Sequence, residues 1–111
     1  MAKHGMLGSF ELLVLLAVIR LGDDAYGVPI SNELEASIGH SVSIGSIYIT
    51  LDRLERKGLV SSTLGESTAA RGGRAKTYFH PTAKGLRAVR QARRTLTRLW
   101  RGVPQLEGDA A

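Results

Sequence analysis

Residues 43–60 read SIGSIYITLDRLERKGLV, and within them Ile44, Ile47, Leu51 and Leu54 recur at gaps of three and four. That spacing puts the four on one face of a helix, the face expected to be buried. Ser43 has the side chain of an N-cap and Gly58 stands just past the last periodic residue, so a helix is predicted from Ser43 to about Lys57. Its opposite face carries Gly45, Ser46, Ile49, Asp52, Arg53 and Arg56. The small residues Gly45 and Ser46 near its start would let this end of the helix come close to another surface.

Upstream, Phe10-Glu11-Leu12-Leu13-Val14-Leu15-Leu16-Ala17-Val18-Ile19 predicts a first helix capped by Ser9 and ending at Leu21. It is apolar on nearly every side, so it needs cover all round, and a chain this small covers one side only. A second chain is expected to cover the rest. Asp23 and Asp24 then give a turn, Pro29 suits the first turn of a second helix, and Ile30, Leu34 and Ile38 form its buried stripe up to Gly39.

Downstream, Leu59 to Leu64 and Ala75 to His80 read as two strands of a hairpin, joined by a glycine-rich basic loop with Gly65, Gly72 and Gly73. Thr82 caps a last helix that runs to about Gly102, because Pro104 disfavours helical geometry just before it. Along it Val89, Ala92, Leu96, Leu99 and Val103 alternate gaps of three and four, a short coiled-coil-like seam. At 1.5 Å per residue such a helix is about 30 Å long, too long to be buried by so small a domain. Residues 104–111 are expected to be a disordered tail.

The chain has 111 residues, the size of one domain, and its 43% apolar and 23% charged content is that of a protein folding in water. It lacks cysteine, which removes disulfides, thiolate metal sites and cysteine nucleophiles. His4, His40 and His80 are scattered with no carboxylate cluster, so no metal and no cofactor are expected. Neither a phosphate-binding loop ending in Gly-Lys-Ser/Thr nor a Gly-x-Ser-x-Gly elbow is present, and no enzyme is expected. The apolar run from Leu12 to Ile19 is too short to span a bilayer, and the residues after it offer no small-residue cleavage pattern. The protein is expected in the cytoplasm, with no membrane partner.

Charge is divided unevenly. Residues 1–66 hold 5 basic and 8 acidic groups, a net of −3, whereas residues 67–111 hold 10 basic and 2 acidic, a net of +8. Between Arg71 and Arg101 there is no acidic residue at all. Such a stretch suits a polyanionic partner, or else is a solvated face that keeps the protein soluble.

Three helices, a hairpin and a further helix is the order of a winged helix-turn-helix, a mainly α fold with a small β-hairpin. The expected division is a DNA-binding domain over 1–81 and a dimerisation helix over 82–103. In that fold the third helix enters the DNA major groove and the hairpin, or wing, reaches the flanking backbone. The DNA-facing candidates are therefore Ser43, Ser46, Tyr48, Ile49 and Arg53 on the third helix and Arg71, Arg74 and Lys76 on the wing. Ile49 reads either as an apolar base contact or as a partly covered residue. By itself Tyr48, beside the buried stripe, reads as a core aromatic with its hydroxyl at the rim. Leu12, Leu16, Val89, Ala92, Leu96, Leu99, Trp100 and Val103 are the candidates for a dimer interface. The rival to DNA binding is a winged-helix interaction module that holds an acidic protein partner.

Tyr26-Gly27, the segment Gly45 to Val60, and Gly72-Gly73-Arg74-Ala75-Lys76-Thr77-Tyr78 resemble the three signature segments of PadR-like transcriptional regulators. The resemblance covers roughly residues 8 to 101, with a length similar to the short subgroup that has a single C-terminal dimerisation helix. It implies a bacterial homodimeric repressor that binds a pseudo-palindromic operator in double-stranded DNA and is released by a small-molecule effector or another signal. It also implies a phosphate contact for Tyr48 and, beside the plain reading of Trp100 as packing in the interface, a role for Trp100 in stacking on a flat effector between subunits. One departure is His80-Pro81-Thr82, where the family usually has a Leu-Thr step without proline.

Overall fold

Among the described residues thirteen, all apolar, form the core, and they come from the first three helices, both strands and the segments that join them, with none from the last helix. A computed structural model describes residues 7–65 and 75–107. In order, the elements are α1 (Ser9–Leu21), a short 3-10 turn (Gly22–Asp24), α2 (Gly27–Ile38), α3 (Ile44–Arg56), β1 (Val60–Leu64), β2 (Thr77–Pro81) and α4 (Ala83–Trp100). The strands pair antiparallel, with Val60 opposite Pro81 and Leu64 opposite Thr77. The predicted winged helix-turn-helix is the fold observed.

Helix α1 is the hub. Val14, Leu15 and Val18 are fully buried against Ile30 and Leu34 of α2 and Ile47, Leu51 and Leu54 of α3, with Phe79 of β2 closing the cluster. The other side of α1 is uncovered: Leu13 and Leu16 are 38% and 41% exposed. The structure thus leaves open the face for which the sequence demands further cover.

Three expectations are corrected. Ser9 is the first helical residue and not the cap; Gly8 takes that place, its amide donating to Oε1 of Glu11 at 2.9 Å. Ile44 belongs to the apolar periodicity of α3 but is 46% exposed, because it stands in the first turn, ahead of the cover that Ile47 receives. Helix α4 stops at Trp100, so Val103 lies outside the seam. Its carbonyl accepts from the amides of Leu106 and Glu107, which closes a turn over residues 103–107.

The proline that departs from the PadR-like pattern is accommodated at the end of β2. Pro81 is the last strand residue, a position that tolerates the missing amide hydrogen. Thr82 follows at once and does two jobs: its Oγ1 accepts from the Gly85 amide to cap α4, and donates to the Gly58 carbonyl at 2.7 Å. Gly85 is buried against the Leu59 carbonyl, and a Cβ there would overlap that carbonyl. A side chain at 85 would push α4 off the end of α3.

From that anchor α4 leaves the core. Among its 18 residues only Gly85 is buried, and the helix extends about 27 Å. The molecule measures 57 × 33 × 21 Å with a radius of gyration of 16.0 Å, against about 13 Å for a compact domain of this length. A helix that projects in this way gains little from its own domain.

Candidate nucleic-acid interface

Helix α3 presents its polar face outward as the periodicity predicts. The Ser43 side chain accepts from the Ser46 amide at 3.3 Å, which fixes the start of the helix. Thr50, buried in the next turn, turns its hydroxyl back to the Ser46 carbonyl at 2.8 Å. Gly45, Ser46, Ile49, Asp52, Arg53 and Arg56 are all exposed, and Ile49 is 61% exposed at the centre of the face. Arg56 is held by Asp52 at 2.8 Å, whereas Arg53 has no ion-pair partner among the described residues.

Tyr48 flanks this face and is 47% exposed. Its hydroxyl packs against the Cα of Gly27, in the first turn of α2, so closely that a Cβ at 27 would collide with it. The Tyr26-Gly27 pair thereby acquires a physical reason: glycine lets the ring of α3 reach the start of α2. Helix α2 begins there without a side-chain cap.

Tyr26 organises the base of the wing. The Lys76 ammonium lies 4.3 Å from the centre of the Tyr26 ring and 3.3 Å from its hydroxyl. Tyr78 meets the same ring edge-on at 5.2 Å. The Phe79 amide donates to the Ala25 carbonyl at 2.8 Å, which ties β2 to the segment just before α2. Lys76 is thus brought next to the start of α2 by the base of the wing. Arg71 and Arg74, the other wing candidates, lie outside the described residues.

The interface candidates gather elsewhere. Leu12 and Leu16 of α1 and Val89, Leu96 and Trp100 of α4 line one groove of about 590 Å³, edged by Arg90, Arg93, Thr97 and Arg101. Ala92 is half-buried on α4 outside this lining, Leu99 is 71% exposed, and Val103 sits in the terminal turn.

One structural pair was missed at the sequence level. Lys57, at the end of α3, donates to both carboxylate oxygens of the buried Glu11 at 2.9 Å each. Burial by itself would raise the Glu11 carboxyl, but the Gly8 amide and Lys57, with Arg53 nearby, outweigh it and hold the group below its ordinary value of 4.5. Glu11 reads from sequence only as a polar interruption of an apolar helix; a carboxylate on a face that must be buried is the signal that announces a partner.

Among the described residues no cluster of metal-ligating side chains occurs, and no helix is long and apolar enough to cross a membrane.

The model of the transcriptional regulator PadR-like family matches residues 15–91. A PadR-like transcription factor from Bacteroides fragilis is 26% identical with a TM-score of 0.71, the match covering 81% of this chain and 82% of that one. A PadR family regulator from Eggerthella lenta is 27% identical with a TM-score of 0.67, covering 87% and 82%. A PadR-like regulator from Bacillus cereus is 27% identical with a TM-score of 0.61, covering 93% and 98%. No curated protein matches the sequence. The match spans α1 from Leu15 through the wing to the first half of α4, and so includes every element that builds the exposed face of α3. The chain belongs to the PadR-like family of transcriptional regulators, DNA-binding proteins and not enzymes.

Proposed function

We propose that this regulator is a homodimeric repressor whose two α3 helices enter successive major grooves of a pseudo-palindromic operator. The observation that carries the reading is the exposed face of α3, small at its N-terminal end and flanked by Tyr48, with Lys76 of the wing held on Tyr26 at the start of α2. Ser43, Ser46 and Ile49 lie at or near the end of the helix that reaches base edges in helix-turn-helix proteins, while Arg53, Lys76, Arg71 and Arg74 serve phosphates.

Dimerisation is supported by the open groove between α1 and α4. Its apolar walls, together with Leu13 and Leu99, remain uncovered in the single chain, and a second copy offers the same walls in return. Trp100 is 45% exposed on that groove. It packs across the interface or receives a flat effector, whose binding would rotate the two DNA-binding lobes and change the spacing of the α3 helices.

DNase I footprinting on the DNA upstream of the protein's own coding sequence tests this reading. It should reveal two symmetric half-sites about 10 base pairs apart, occupied by a dimer. Protection of a single half-site by a monomer would refute the dimeric arrangement.

A further inference from the structure

The outward face of α3 is unusual in what it lacks. In its first two turns, Ile44 to Thr50, there is no Arg, Lys, Asn or Gln. These are the side chains that discriminate guanine or adenine through paired hydrogen bonds. The first guanidinium on the face is Arg53, in the C-terminal half, and Arg56 beyond it is engaged by Asp52. At the centre stands Ile49, 61% exposed, with Gly45 and Ser46 one turn before it and Asp52 and Arg53 one turn after. A Cβ at Gly45 would meet only the Ser43 hydroxyl, at 3.6 Å, so nothing bulky stands between this part of the helix and an opposing surface. The Tyr48 hydroxyl packs against Gly27 of α2, at the edge of this face.

An exposed isoleucine in such surroundings gains nothing from water. In the major groove, the apolar group a base edge offers is the 5-methyl of thymine. We propose that Ile49 is a specificity-determining residue that reads a thymine methyl in each operator half-site, with Gly45 and Ser46 permitting the close approach. This inference rests on α3 being the groove-reading helix, as proposed above. It implies a half-site recognised at its centre by shape and apolar contact, in place of a purine-specific hydrogen-bond pair.

The test is a cycle on the footprinted duplex, made synthetically so that thymine is the sole source of a pyrimidine 5-methyl. Individual thymines are replaced by 2′-deoxyuridine, which deletes only the methyl group, and affinity is measured for the native chain and for Ile49→Ala. The change is at an exposed position, and circular dichroism verifies that the variant folds. At one symmetry-related thymine pair the native protein should lose about 4-fold per half-site, about 15-fold for the dimer, the value of one buried methyl group. Ile49→Ala should bind the thymine duplex with a similar deficit and be indifferent to the deoxyuridine exchange. The proposal is overturned if deoxyuridine at every footprinted thymine leaves native affinity unchanged, or if Ile49→Ala keeps the full deoxyuridine penalty. Binding that prefers the footprinted duplex yet ignores the methyl groups removes Ile49 from the code alone. Equal binding to a scrambled duplex removes the groove-reading role of α3 as well.

Discussion

Lys57 closes a two-point clasp on Glu11, its ammonium 2.9 Å from each carboxylate oxygen, and so joins the end of α3 to the start of α1 across 46 residues of sequence. The clasp links the helix proposed to face DNA to the helix that lines the α1–α4 groove. Glu11 is 8% exposed at its side chain and Lys57 33%, so the pair is shielded from solvent on the carboxylate side. Lys57 is further bracketed by Lys84 of α4, whose ammonium donates to the Lys57 carbonyl at 3.0 Å.

Glu11→Gln should therefore destabilise the fold by about 1–3 kcal/mol, since it leaves Lys57 without its charged acceptor. Denaturant unfolding at neutral pH measures this. Because the folded-state pKa of Glu11 lies below 4.5, its contribution is fully present above the unfolded value and is lost as pH falls through the folded one. The native chain should lose stability as pH falls below 4.5 more steeply than Glu11→Gln does. Parallel pH profiles for the two would show that the clasp carries no stability.

The groove predicts a second outcome. Leu96→Asp alters a residue that is 51% exposed and lines the open wall, so the isolated subunit should keep its helix content. Sedimentation should show a monomer, and operator affinity should fall by about 100-fold or more through loss of the second half-site. A dimer of unchanged strength would place the interface elsewhere.

At the wing stem, Tyr26→Phe keeps the ring beneath Lys76 and should leave DNA affinity nearly native, whereas Tyr26→Leu removes both ring contacts. Lys76→Gln should weaken binding to all sequences alike and lower the salt slope by about 1 per subunit. A change confined to one base position would make Lys76 a base-reading residue instead of a phosphate contact.

Gly85→Ala should cost about 1–3 kcal/mol by overpacking. The added Cβ meets the Leu59 carbonyl, which is backbone and cannot step aside as a side chain would. A stability unchanged by this substitution would show that the α4 anchor is looser than the packing indicates.

Much of this architecture was legible in the order of residues. The three-and-four spacing of Ile47, Leu51 and Leu54 located α3 and its exposed face, and Ser43 and Thr82 capped their helices as expected. Local chemistry failed where tertiary geometry decides. Ser9 looks like a cap, but the Glu11 carboxylate, held by Lys57, also accepts from the Gly8 amide, and the helix starts one residue earlier than a cap at Ser9 implies. The Glu11–Lys57 clasp joins residues 46 apart, which no local pattern encodes. The roles of Tyr26 and Gly27 were invisible for the same reason: their partners, Lys76, Tyr78 and Tyr48, come from other elements. The seam of α4 ran one residue too far because periodicity continued to Val103 after the backbone had turned at Gly102, where φ is +74°.

Fluorescence anisotropy on the protein's own upstream DNA, set against a scrambled duplex over a range of salt, addresses the central claim most directly. A dimer that neutralises about six to ten phosphates should prefer the upstream fragment, with log affinity falling against log salt at a slope of about −5 to −9. A nearly flat salt dependence, or equal affinity for the two duplexes, would contradict it.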